Sequence, residues 1–264
     1  MDQPSTKKVV TGRTRTVVIW LQRRILELSR HWLAWANLFW GLMVGLPWLA
    51  PVLMKLGATT PARAIYFVYG FLCHQFANRS FFLFGPKTMY AYTELLPYAP
   101  DANTWLGLRA FIGNAELGYK VAWSDRMVSM YGGVFLGGLL FALLRHRMKP
   151  LSWRTFGLMI LPMIVDGSTH WISDLAGVGQ GFRYHNGWLA TLTGNLFPSS
   201  FYVGNALGSF NSWMRLITGL LFGLAIVWMV YPLMEASFQD VRQTLEPRMR
   251  RLRSPLPQTV IDVT

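Results

Sequence analysis

The chain has one cysteine, Cys73, among its 264 residues. An intrachain disulfide and every all-cysteine zinc cluster are thereby excluded, and disulfide usage says nothing about the compartment. Charge is also scarce, at 14%, against about 25% in soluble domains. Acidic groups are the scarcest: 12 Asp and Glu face 25 Lys and Arg, a formal net charge of +13. No nucleophile elbow, phosphate-binding loop or zinc-protease motif occurs. The first 30 residues lack a short apolar core followed by a small-residue cleavage site, so the first apolar segment is expected to act as an uncleaved anchor.

Apolar and aromatic residues dominate instead: 52% of the chain is hydrophobic, with 12 Trp, 17 Phe and 13 Met. Together with the shortage of charge, this composition implies a membrane protein. Four segments reach the length of a transmembrane helix, at about 32–54, 127–144, 156–171 and 213–231, the third being short. Trp and Tyr lie near several of their ends, as an interfacial belt predicts. The expected architecture is an all-α integral membrane protein. It divides into a basic cytoplasmic segment (1–30), a membrane domain (31–232) and a basic cytoplasmic tail (233–264).

The positive charge falls in three blocks beside apolar segments. Lys7, Lys8, Arg13, Arg15, Arg23, Arg24 and Arg30 precede the first span. Arg145, Arg147, Lys149 and Arg154 link the second and third, and Arg242, Arg248, Arg250, Arg251 and Arg253 follow the fourth. Positive-inside sorting accounts for this pattern, and nucleic-acid binding does not. Four spans then put all three blocks, and both termini, in the cytoplasm of a multi-pass cell-membrane protein. Thr16–Arg30 reads as a basic amphipathic helix on the cytoplasmic leaflet. Ala64–Phe84 is long enough to cross, but a further crossing would place Arg145, Arg147 and Lys149 outside. Ala64–Phe76 is therefore expected to be re-entrant or interfacial.

Two long connections, Gly85–Arg126 and Ser173–Ser212, then face outward; the first reads as an ordered cap with short helices. The second opens a near-repeat, in which Asn186–Phe197 echoes Asn211–Phe222. Glycine pairs four apart, Gly41/Gly45, Gly133/Gly137 and Gly219/Gly223, predict close helix packing, within the chain or in a homo-oligomer.

The unusual polar residues gather at the outward ends of the spans. Cys73, His74, Gln75 and Arg79 sit between greasy runs, and Asp125 and Arg126 open the second span. Asp166 and His170 share a helical face at the end of the third, as do Asn211 and Arg215 at the start of the fourth. Ionisable groups inside a span are functional candidates. Asp166 is the deepest: Arg215, Arg126 or Arg79 could neutralise it, and His170 could share its charge.

Three chemistries are open. Cys73, His74 and His170 carry metal-ligand atoms, and Asp166 could orient a histidine. Adjacent Cys and His on a helix diverge by about 100°, so no metal is expected. Asp166 and His170 could do acid–base work on a lipid or periplasmic substrate. The leading reading is a structural or partner-binding membrane component whose polar network fixes helix register. The alternative is a membrane-embedded enzyme or metal-binding protein using Cys73, His74, Asp166 and His170. The bilayer is an implied partner, a membrane-protein partner or a homo-oligomer stays open, and no cofactor is legible.

These residues resemble a family of predicted bacterial and archaeal membrane proteins of unknown function. Its pattern runs Cys-His-Gln, Arg-Ser-Phe and Gly, then Cys-x-Arg-Cys before a Gly-rich span, Pro and Asp-Gly, and finally Asn, Arg and Thr-Gly. Here these correspond to Cys73-His74-Gln75, Arg79-Ser80-Phe81, Gly85, Ser124-Asp125-Arg126-Met127, Tyr131-Gly132-Gly133, Pro162, Asp166-Gly167, Asn211, Arg215 and Thr218-Gly219. The resemblance covers about 65–232. In the family, one Cys-His and two further cysteines would suggest a thiolate metal or redox site. This chain keeps the Arg and has Ser124 and Met127 in place of both thiols. The resemblance therefore implies architecture more than activity.

Overall fold

In a computed structural model, residues 12–253 are described, and the fold is mostly helical. Lys7, Lys8 and the tail beyond residue 253 lie outside the described residues. The long helices are α1 (Gly12–Lys55), α2 (Thr59–Gly70), α3 (Asp125–Leu144), α4 (Trp153–Asp174) and α5 (Phe210–Arg253). The described chain falls into two compact units, residues 36–231 and residues 12–35 with 232–253.

Among the described residues, three helices, α1, α3 and α5, are long and apolar enough to cross a membrane. α4 has 22 residues but carries Pro162, Asp166 and His170, which lower its hydropathy. Three of the four spans read from the sequence meet that criterion, and α4 does not. α2 has 12 residues, about 18 Å of helix against the roughly 30 Å of a hydrocarbon core. After it come a turn, a 3₁₀ turn at Ala77–Arg79 and a strand at Ser80–Leu83. Residues 64–84 therefore contain no membrane-length helix.

In the larger unit, glycines let α3 and α5 meet backbone to backbone. A Cβ at Gly133 would strike the Leu220 carbonyl, and one at Gly223 would strike the Met130 carbonyl. Gly219 sits against Ser129, and Gly137 against Val227. Two of the three glycine pairs thus find their partners in this same chain. Of the third, Gly41 faces the Phe135 ring, and Gly45 has nothing nearby.

The all-α expectation needs a correction. Strands β1 (Ser80–Leu83), β2 (Gly113–Asn114) and β3 (Gly118–Ser124) form an antiparallel sheet in the order β1-β3-β2. Ser80 pairs with Ser124 and Phe82 with Lys120, with an irregularity between them. β3 was hidden because it is buried along its length and reads as a short mixed run; Val121, Ala122 and Trp123 are fully inaccessible. Trp123 packs edge-on to Tyr69, with centroids 4.8 Å apart, and donates to the Met43 carbonyl at 2.8 Å. The sheet thereby fastens α1, α2 and α3 together. The expected cap does contain short helices, at Tyr92–Leu95 and Trp105–Ala110.

In the smaller unit, the first part of α1 packs on the last part of α5 through Leu26, Leu245 and Met249. Trp32 stacks on Phe238 and donates to Glu235 at 2.9 Å; Arg30 pairs with Glu246 at 2.9 Å. Thr16–Arg30 is thus no separate helix but part of the unbroken α1, and residues 233–253 continue α5.

Candidate functional site

The site begins at the turn after α2. Gln75 adopts φ +55°, a left-handed conformation uncommon outside glycine. Four hydrogen bonds hold it there. Its Nε2 donates to the carbonyls of Tyr66 (2.9 Å) and Ala122 (3.0 Å). Its amide donates to Cys73 Sγ (3.3 Å), and its carbonyl accepts from Lys120 Nζ (2.7 Å). Gln75 is thus a buried clasp between α2 and β3. Cys73 Sγ lies 3.5 Å from Ser124 Oγ. His74 stays exposed and stacks on Phe76.

Three ion-pair clusters surround this turn. Asp125, in the first turn of α3, is fully buried. It accepts from Arg215 Nε at 2.8 and 2.9 Å, while Arg215 also donates to the Asn205 side chain and carbonyl. Asp166 accepts from Arg126 at 2.7 Å and from Arg183 at 2.5 Å. Arg79 grips Asp174 with two bonds of 2.8 and 2.6 Å and lies over the rings of Phe76 and Trp105. Arginine offers such planar forks to carboxylates.

His170 Nε2 lies 3.1 Å from Arg183 Nη2 and 3.7 Å from Asp166 Oδ1. A guanidinium can only donate. Nε2 therefore accepts, and His170 is the neutral tautomer protonated on Nδ1. Its contact with Asp166 is then not an ion pair.

These groups frame a cavity of about 380 Å³. Cys73, His74, Gln75, Arg79, Arg126, His170 and Arg215 all reach its wall, and Ser124 and Met127 lie on the same wall as Cys73. Phe76, Trp105, Trp171 and Leu175 supply an apolar side. Asp125 and Asp166 stand behind their arginines. Asn211 lies off the cavity: it donates to the carbonyls of Arg183 (2.5 Å) and Gly204 (2.8 Å). It also meets Asn186, at 3.3 Å, so equivalent positions of the near-repeat touch.

The partnerships differ from those the sequence suggested. Arg126 does neutralise Asp166, but Arg215 serves Asp125 and Arg79 serves Asp174. Arg183, Asp174, Asn205 and Lys120 escaped the sequence reading. Asp174 carried a usable signal, since 166, 170 and 174 share one helical face. Arg183 lies in a short loop helix, with nothing local to mark it. Lys120 is buried and donates to the Gln75 and Arg109 carbonyls, both at 2.7 Å. Burial pushes its amine down to about 7; Cys73 opposes this, and Arg109 adds to it. Among the described residues, no three His, Cys, Asp or Glu side chains are arranged to hold a metal ion.

Residues 115–229 match the predicted membrane protein family DUF2085. The matched stretch includes Asp125, Arg126, Asp166, His170, Arg183, Asn211 and Arg215. It leaves out Cys73-His74-Gln75, so it is narrower than the resemblance read from motifs. An uncharacterized protein of Methanocaldococcus jannaschii, MJ1492, is 26% identical over 156 residues, covering 55% of this chain and 76% of that one. No solved structure matches the chain. Similarity to DUF2085 and the apolar helices together make this a multi-pass membrane protein in outline.

Proposed function

We propose that the protein is a non-enzymatic membrane component whose arginine–carboxylate network locks the outer end of a helix bundle and frames a cavity for a membrane ligand or partner. The observation that carries this reading is that Arg79, Arg126 and Arg215, each paired with a carboxylate on another segment, line one cavity. Removing Asp125 or Arg215 leaves the other's buried charge unpaired, which costs about 3–5 kcal/mol.

In this reading α4 is the fourth span. Its 22 residues give about 33 Å, and Leu158, Leu161, Ile164, Val165 and Ile172 are exposed along it, as lipid contact requires. Trp228 on α5 donates to the carbonyl of Lys149 in the basic α3–α4 link. Arg215 lies 13 residues earlier on α5, about 20 Å away. The basic link and the ion-pair network thus occupy opposite ends of the bundle. Positive-inside sorting assigns the link and both termini to the cytoplasm, and the network to the outer face.

Metal analysis and thermal unfolding of the purified protein test this. Asp125→Asn should lower the melting temperature sharply, by the several degrees that about 3 kcal/mol implies in a chain of this size. Cys73→Ser should change it little. Stoichiometric metal that disappears in both Cys73→Ser and His170→Ala would overturn the proposal in favour of a metal site.

A further inference from the structure

The charges of the ion-pair network behind the cavity do not balance. Arg79, Arg126 and Arg215 line the cavity and Arg183 lies off it, yet Arg126 and Arg183 share the single carboxylate of Asp166, while Arg79 and Arg215 have Asp174 and Asp125 to themselves. His170 adds no negative charge and, as a neutral acceptor, removes none. One guanidinium's worth of positive charge is left at a largely buried site, where an uncompensated charge is costly.

Arg126 has the most to offer a guest. Besides Asp166, its side chain has as hydrogen-bond partner only the thioether of Met163, a weak acceptor at 3.9 Å. Arg126 and Arg79 both line the cavity. The wall beside the arginines is apolar, with Trp105, Trp171 and Leu175; the last two are exposed by 67% and 71% at the end of α4. A small inorganic ion would use the arginines and leave that wall bare. An amphiphile would use both.

We infer that the cavity binds the phosphate headgroup of an anionic amphiphile, with its oxygens on Arg126 and Arg79 and its first apolar carbons against Trp105, Trp171 and Leu175. The inference rests on the cavity reading above and adds the class of ligand. Arginine forks match phosphate oxygens, and the volume, about 380 Å³, holds a headgroup and the start of its chains.

The test uses the full chain purified in a mild neutral detergent, and its first variants, at Leu175, leave every ion pair intact. Leu175 lies on the cavity wall and is exposed, so charged side chains fit there. Binding of short-chain phosphatidic acid is followed by native mass spectrometry and by the rise in melting temperature. Leu175→Glu should weaken it about five- to tenfold, and Leu175→Lys should tighten it by a similar factor, through Coulomb interaction at the mouth. Arg126→Gln should abolish it, and Arg126→Lys should retain part of it. Absence of phosphatidic acid binding to the folded wild type, or equal effects of Glu and Lys at position 175, overturns the inference. Glycerol 3-phosphate separates the sources: if it binds as tightly as the lipid, the guest is a soluble phosphate ester; if it fails to compete at millimolar concentration, the guest is a lipid. Weaker binding at Leu175→Glu with an unchanged melting temperature of the free protein separates this inference from the structural role of the network.

Discussion

Gln75 shows how much one side chain can hold. Its left-handed backbone is costly for any residue but glycine, and its amide joins α2 to β3 through the Tyr66 and Ala122 carbonyls. Gln75→Ala keeps the strain and orphans those two buried acceptors, so it should destabilise the protein by about 2–3 kcal/mol, measurable by chemical denaturation in detergent. Lys120 makes a second prediction. Its amine falls from the usual 10.5 to about 7 through burial. Between those values the unfolded chain binds a proton that the folded chain does not, so stability rises with pH across that window. It is lowest at and below pH 7, where folding must bury the ammonium. Melting temperature should therefore climb from pH 7 to 9.5, and Lys120→Met should remove most of the slope. At this scale the sequence was half legible. An aspartate inside an apolar run declares itself, as Asp166 did. Its partner Arg183 lies 17 residues away in a polar loop, and arginine in a loop needs no explanation until its burial is seen.

Among the elements, spacing was the readable quantity. The glycines at 133, 137, 219 and 223 marked the α3–α5 seam because only glycine lets backbones approach this closely. Gly223→Ala would push a methyl into the Met130 carbonyl and should cost about 3 kcal/mol. Gly45→Ala and Gly132→Ala meet nothing within 4 Å and should be close to neutral in the same unfolding assay. The sheet was not readable in this way. β3 is buried along most of its length, so it lacks the alternation that identifies a half-exposed strand. Its seven residues sit inside a stretch that looks like a loop between spans. The small helices of the cap, four to six residues each, carry too little periodicity to be bounded. The continuity of α1 through Arg30 was also hidden, because a basic amphipathic stretch and a basic helical extension of a span have the same composition.

For the whole molecule, charge asymmetry is the stronger guide to orientation, and hydropathy to the number of crossings. Cysteine labelling in intact cells checks both. In a Cys73→Ser background, Leu106→Cys, on the exposed cap, should react with a membrane-impermeant thiol reagent. His146→Cys, in the exposed basic link, should react only after permeabilisation. The reverse pattern would invert the proposed topology, and labelling of both without permeabilisation would remove α4 as a span. The three-block charge pattern and the polar ends of the spans were visible in the sequence. The convergence of those ends on a single cavity was not, since it depends on contacts between residues as far apart as Arg79 and Asp174.

The glycine seam has a mechanical consequence. Where backbones touch, no layer of side chains remains to change rotamer, so the seam between α3 and α5 is stiff. These two helices carry Asp125, Arg126 and Arg215. α4 carries Asp166, His170 and Asp174, and it meets the cavity through the guanidinium forks of Arg126, Arg183 and Arg79. Forks can swivel and re-form where a backbone seam cannot. The cavity therefore has one wall held by backbone contact and one held by side-chain forks.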